Sequence, residues 1–279
     1  MLSLQHNWTL AEHLKFTGTG LHTGKESSVS LLPSTDPGYW LWQDGRWLQI
    51  SPEQVSNTRL CTQIGTVMTL EHLLATLYGL GLSAVKIRVD GPECPILDGS
   101  AREWVQMLEP LRVALPSQRR IWRLARPWHR EQNGVSMRAT PADTLSLVYA
   151  VDYDKPEMHL QQQYAWDWSS RTFGAELAPA RTFGFASDLA AMQSSGRALG
   201  GTLENALLIS SPDSLQQARF ADEPVRHKML DLLGDLSLLG RLLLARLEIR
   251  CGGHQSHVIM AKTLLQEGWL HDEPCPPID

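Results

Sequence analysis

The segment RHKMLDLLGDLSLLG (226–240) places His227, Asp231 and Asp235 at i, i+4 and i+8. On a helix these three form one polar stripe. The remaining positions are mostly Leu and Met. A carboxylate turned toward such surroundings costs several kcal/mol unless it is paired or bound to a metal. A His and an Asp one turn apart can share a metal ion, by the geometry that underlies H-E-x-x-H. The same spacing suits a solvent-facing stripe on an amphipathic helix, so both readings stay open.

Glu71-His72 is a second signal, near the start of a helical pattern at 69–80, TLEHLLATLYGL. Neighbouring helical residues point ~100° apart. If His72 ligates a metal, Glu71 cannot join it from the same face, but it can act as general base on a water there. The pair also fits an acidic residue serving the helix dipole beside a core histidine. The third signal is GGHQSH (252–257), where Gly252 and Gly253 follow a strand and set His254 at a tight corner before a helix. A histidine there is free for acid or base work. The other reading is an ordinary turn, with His254 or His257 opening the helix. Together His72, His227 and Asp231 would leave a fourth position for water, the arrangement of catalytic rather than structural zinc. Zinc brings the pKa of such a water to ~7 and polarises a carbonyl. Iron(II) would fit the same donors.

Two segments say less on their own. GLHTGK (20–25) resembles a phosphate loop but lacks the G-x-x-x-x-G-K-[ST] spacing, which excludes nucleotide triphosphate binding of that kind. ARTFGF (180–185) is an aromatic turn that sets Thr182 between Arg181 and Phe183. Leu60 and Cys61 read first as core residues and are also candidate substrate contacts.

These residues need elements that converge on them. Residues 8–33 read as two strands around a turn, punctuated by Gly18, Gly20 and Gly24. Residues 39–50 form a hairpin with its turn at Asp44-Gly45. Thr69 caps the 69–80 helix, and 84–90 alternates as a strand. Ser100 and Glu103 have capping-box spacing for a helix over 101–108. Residues 113–119 look like a linker broken by Pro116. Strands follow at 120–125, 134–139 and 144–153, then helices at 186–194 and 224–239. A last strand at 244–251 leads to a helix over 256–266, and 271–279 looks frayed. Strand runs followed by helices in both halves predict α+β layers rather than an alternating parallel fold. The domains expected are 1–115 and 120–279.

The chain has 279 residues, 43% of them hydrophobic and 20% charged, which is an ordinary globular composition. The net charge of −5 argues against nucleic-acid binding by a basic field. Met1 to Leu10 lacks the basic and apolar regions of a secretory signal. The Leu-rich stretch 229–247 is broken by Asp231, Asp235, Arg241 and Arg246, so stable membrane insertion is not expected. Cys61, Cys94, Cys251 and Cys275 form no C-x-x-C pair and read as reduced thiols of a cytoplasmic protein.

Seven motifs then occur in order across nearly the whole chain: TGTGLHTGK (17–25), TLEHLLATLYGLG (69–81), GPECPILDGSA (91–101), ARTFGF (180–185), LGGTLENA (199–206), EPVRHKMLDLLGDLSLLG (223–240) and GGH (252–254). In this combination the chain resembles the zinc-dependent UDP-3-O-acyl-N-acetylglucosamine deacetylases of lipid A biosynthesis. The resemblance implies two similar α+β domains, each a β-sheet packed on helices as a two-layer sandwich, with the active site between them. It implies one zinc per chain on His72, His227 and Asp231. Glu71 would be the general base and His254 the general acid, with Asp235 holding and charge-pairing His254. Thr182 would hydrogen-bond the oxyanion. The insert at about 186–208 would form an apolar passage for a hydroxyacyl chain, flanked by Phe183 and Phe185. Lys228 suits contact with the sugar nucleotide, and Asp188 and Tyr153 fall where the family contacts the nucleotide. The implied substrate is a UDP-linked acylated amino sugar, and the implied state is a monomer. A zinc amidohydrolase acting on another N-acyl amino sugar is the alternative reading. A binding protein that has lost activity would show a broken site, whereas Glu71, His254 and all three ligands are present.

Overall fold

Apolar residues dominate 70–80 and 229–239, and in the computed structural model, which describes residues 5–276, both segments are buried helix. Five helices of seven or more residues are described: α1 (Glu71–Gly79), α2 (Arg102–Leu108), α3 (Ala186–Ser194), α4 (Glu223–Leu236) and α5 (His254–Gln266). Every residue of α1 is buried, and so is most of α4. Two helices buried over most of their surface can be stable only inside a larger core. The two pack on each other, and α5 packs against α4.

The rest is mixed α/β with several sheets. A five-stranded sheet runs Leu14–Thr19, Glu26–Pro33, Ala84–Asp90, Gly38–Gln43 and Arg46–Gln49 in spatial order. A seven-stranded sheet centres on Leu243–Arg250, which pairs antiparallel with Val135–Pro141 and parallel with Leu145–Lys155. Alternation decides which face is buried: Leu145, Leu147, Tyr149 and Val151 point inward from one strand. One continuous core joins Leu31, Leu41 and Ile87 of the first sheet, the helix leucines, and Leu147 and Leu247 of the second.

The crossing of α1 and α4 depends on Gly234. A Cβ built there would lie 2.2 Å from the carbonyl oxygen of Glu71. With only hydrogen at that position, the two backbones come close enough to bring Glu71 and His72 against His227 and Asp231.

Several local expectations change. Residues 8–33 hold parts of three strands, because His6–Leu10 is separate from Leu14–Thr19. The supposed linker at 113–119 is strand Arg112–Gln118, paired with His6–Leu10. That strand has no second strand partner among the described residues, and an edge tolerates Pro116. The frayed tail is strand Leu270–Pro274, paired with Arg120–Leu124; residues 277–279 lie outside the described chain. Strands Trp128–Gln132 and Met158–Asp167 were not expected. Thr69 does not cap α1: it has φ 58°, and its hydroxyl donates to Glu93 at 2.7 Å. Ser100 makes no capping box, because its hydroxyl donates to Asp98 at 2.7 Å. The hairpin at Asp44-Gly45, the strand at 84–90 and helix 186–194 fall where the pattern put them.

Candidate active site

The polar stripe of α4 faces inward. His227, Asp231 and Asp235 are all buried, which excludes the solvent-facing reading. α1 brings His72 to them. The Nε2 atoms of His227 and His72 lie 3.4 and 3.7 Å from Asp231 Oδ1. Neither makes a hydrogen bond to it, and Asp231 Oδ1 is buried without a hydrogen-bond partner among the described residues. Two ligands at ~2.1 Å from a tetrahedral ion sit ~3.4 Å apart. The spacing therefore suits donors around a shared ion better than donors bonded to each other.

Protonation agrees. His227 Nδ1 lies 3.1 Å from the Ala180 carbonyl, which can only accept, so Nδ1 carries the proton and Nε2 a lone pair. Burial pushes both histidines down, His72 to about 3 with His227 adding to the effect. Burial opposes ionisation of Asp231, yet Lys228 and the surrounding histidines hold its carboxyl well below the usual range. Lys228 donates to Asp231 Oδ2 at 2.7 Å. Two neutral imidazoles and one carboxylate could thus hold a divalent cation. Asp235, His254 and His257 also converge, but their own hydrogen bonds use the ligand atoms.

Next to this set stand Glu71 and His254. Burial, then the charge of Asp231, raises the Glu71 carboxyl to about 8, with His254 opposing. Its Oε2 accepts from the Thr62 amide at 2.9 Å, which aims the carboxylate. His254 Nε2 lies 3.9 Å from Glu71 Oε1 and from Asp231 Oδ2. Burial opposes its charge, but Asp235 and then Asp231 outweigh this and hold His254 up at about 9. Asp235 accepts from His254 Nδ1 at 2.9 Å. His254 is the first residue of α5 rather than a loop residue, so its position is more rigid than the Gly-Gly corner suggested.

Glu71, His72, His227, Asp231 and His254 open onto a cavity of about 760 Å³, while Asp235 sits behind His254. Thr182 is on its wall. The Thr182 amide donates to Gly99 O at 2.7 Å and its carbonyl accepts from Leu207 at 2.8 Å, while its hydroxyl has no partner among the described residues. Buried Glu223, at the start of α4, receives Arg181 and so fixes that turn against the helix. Phe183, Phe185, Leu189, Met192, Leu203 and Leu207 give the cavity an apolar wing. Leu203 is 70% exposed and Leu199 56%, an unusual presentation of apolar surface. Lys228, Leu60, Tyr153 and Asp188 also line the cavity. Cys61 does not: it is fully buried behind Leu60, and burial raises its thiol to about 12.

Some residues escaped the sequence reading. His22 lines the cavity, in a turn whose His22 and Thr23 amides donate to buried Glu93. The superficial phosphate loop is thus filled by the protein's own carboxylate. Lys155 also lines the cavity, paired with Asp188 at 2.8 Å. His257 donates from Nδ1 to Asp235 at 2.8 Å. The contact that brings each of these to the site is long-range, and the local sequence does not report it.

Three inward donors of a metal set, a raised carboxyl and a raised histidine at one cavity are the arrangement of a metal-assisted hydrolase. Comparison narrows the class. The family model described as UDP-3-O-acyl N-acetylglycosamine deacetylase (LpxC) matches residues 7–266. A UDP-3-O-acyl-N-acetylglucosamine deacetylase of Trichormus variabilis is 40% identical over 275 residues, covering 92% of this chain and 97% of the relative. The enzymes of the same name from Synechocystis (37% identical; 92% and 97% covered) and Oleidesulfovibrio alaskensis (34%; 94% and 90%) are also similar. The chain belongs to this deacetylase family and is a hydrolase acting on an amide.

Proposed function

We propose that this chain removes the N-acetyl group of UDP-3-O-(3-hydroxyacyl)-N-acetylglucosamine, releasing acetate and the free amine, the committed step of lipid A biosynthesis. One observation carries the reading: the buried His72, His227 and Asp231 set opens with Glu71 and His254 onto an apolar-winged cavity. Zinc is the ion proposed, one per chain, with iron(II) compatible with the same donors. Bound there, it would act as Lewis acid toward the acetamide carbonyl and would acidify a water.

The residues supply the rest. Glu71 takes the proton of the attacking water, and its raised pKa makes it a strong enough base. Thr182 donates its free hydroxyl to the carbonyl oxygen as that oxygen gains charge. His254, charged beside Asp235, gives its proton to the leaving nitrogen. Lys228 holds Asp231 and suits contact with the sugar nucleotide, as do Tyr153 and Asp188 at the same wall. Phe183, Phe185 and the 186–208 segment would shelter the acyl chain, and Leu60 faces the same space. Cys61 is not carried forward as a contact.

The finer architecture that goes with this reading is two similar two-layer domains, near 1–115 and 120–279, with the site between them. It is supported by α1 and α4, one from each part, each bringing ligands. A monomer at work in the cytoplasm completes the proposal. No described helix is long and apolar enough to cross a membrane.

The test is acetate release by the purified, zinc-loaded protein from the acylated sugar nucleotide and from the same compound without its acyl chain. Each buried CH2 contributes ~0.8 kcal/mol, so the acylated form should be favoured by at least ~100-fold in kcat/KM. Equal turnover of both would replace this substrate by a general N-acyl amino sugar. No release from either would reject the reading.

A further inference from the structure

The proton donor's partner has a second histidine. Asp235 is fully buried and accepts three hydrogen bonds. Thr62 Oγ1 donates to Oδ1 at 2.5 Å. His254 Nδ1 and His257 Nδ1 both reach Oδ2, at 2.9 and 2.8 Å. The two histidines are i and i+3 on α5 and so share one face. A carboxylate can only accept, so each Nδ1 carries a proton. Burial keeps His257 neutral, which leaves its Nε2 with a lone pair. The hydroxyl of Tyr149 lies 3.0 Å from that nitrogen and must donate to it.

We propose that His257, anchored by Tyr149, is a positioning residue that locks the Asp235 carboxylate and through it the orientation of His254. The order of bonds is Tyr149 O–H to His257 Nε2, His257 Nδ1–H to Asp235, and His254 Nδ1–H to Asp235. Its fixed end is rigid, because Tyr149 is fully buried in the middle of strand Leu145–Lys155. The space is reserved for it: a Cβ at Gly252 would lie 2.9 Å from the Tyr149 oxygen and 3.0 Å from His257 Nε2. His257 does not line the cavity, so it acts only through Asp235. Without it, one oxygen of Asp235 would answer to His254 alone, and the imidazole would lose the fixed angle at which Nε2 faces Glu71 and Asp231.

This inference rests on the proposed role of His254, and the experiment separates the two. His257→Leu removes both bonds. His257→Asn keeps an N–H near the position of Nδ1 and loses only the reach to Tyr149. In the zinc-loaded enzyme His257→Leu should lower kcat by ~10–100-fold with KM and bound zinc unchanged, and His257→Asn should recover most of it. In the wild type, nitrogen-15 histidine spectra should show His257 as the Nδ1–H tautomer. Full kcat in His257→Leu, or an Nε2–H tautomer, would overturn the proposal, as would a loss that follows zinc content. Should His257→Leu not fold, Tyr149→Phe serves: the Nδ1 protons of His257 and His254 should exchange faster with water, and unchanged exchange overturns it. A wild type that releases no acetate would sink the functional reading, while the spectra would still decide the order of bonds.

Discussion

Gly234→Ala is a one-carbon test of how the fold makes the site. The new Cβ would meet the Glu71 carbonyl oxygen at 2.2 Å, and a backbone atom cannot rotate away. Reaching an ordinary contact near ~3.2 Å requires α1 and α4 to part by about 1 Å. Alanine gains ~1 kcal/mol in helix propensity over glycine. Overpacking costs ~1–3 kcal/mol or more, and here the overlap is severe, so the clash wins. The net destabilisation should be ~1–2 kcal/mol, or a Tm lower by roughly 2–8 °C in a chain of this size. The effect on chemistry should be larger. The same movement carries Glu71 and His72 away from His227 and Asp231, and a displacement of ~1 Å can cost ~100-fold. Zinc affinity, acetate release and thermal unfolding would be measured together. Gly174→Ala is the control, since its Cβ would find only Val105 at 3.5 Å. Wild-type kcat and zinc affinity in Gly234→Ala would refute the argument that this crossing sets the site.

Three other outcomes are expected. His227→Ala should lose most of its zinc affinity, read as metal per chain after dialysis; full stoichiometry would remove His227 from the ligand set. Thr182→Val keeps the shape and should lower kcat by ~100-fold or more with little change in KM; an unchanged kcat would clear the hydroxyl of any role. The pH profile of kcat/KM should be bell-shaped. Glu71 works ionised, and a cation beside it can only lower its pKa, so the acid limb should fall at or below about 8. His254 works protonated, and the same cation lowers its pKa as well, so activity should fall as pH rises through a value at or below about 9. Asp235 is the leading charge that holds His254 up, so Asp235→Asn should move the alkaline limb to lower pH; a limb that stays in place would contradict this pairing.

The site was legible where chemistry conflicted with its surroundings. His227, Asp231 and Asp235 stood out because the positions around them are mostly Leu and Met, and burial with a partner is what that conflict predicts. Glu71-His72 and His254 were ambiguous alone, and only the ordered motifs pointed to roles for them. Less legible were features made by distant partners. Glu93 gathers the amides of His22 and Thr23 and the hydroxyl of Thr69 from separate segments. That contact overrode the local capping preference of Thr69. Strands 128–132 and 158–167 carry polar faces toward solvent, as in WHREQ and HLQQQ, so their hydrophobic signal was weak. Pro116 marked a linker by local rules, whereas an edge position makes it compatible with a strand. His257 read only as a residue that could open the helix, because neither Asp235 nor Tyr149 is near it in sequence.

The central claim is metal-assisted deacetylation with Glu71 as base and not ligand. The most direct measurement compares metal content and acetate release in wild type and Glu71→Gln, before and after a chelator and zinc add-back. The account predicts that the chelator abolishes wild-type release and that zinc restores it. It predicts that Glu71→Gln keeps one zinc per chain and loses ~100-fold or more of kcat. Release that survives removal of the metal, or a Glu71→Gln protein that fails to hold zinc, would contradict it.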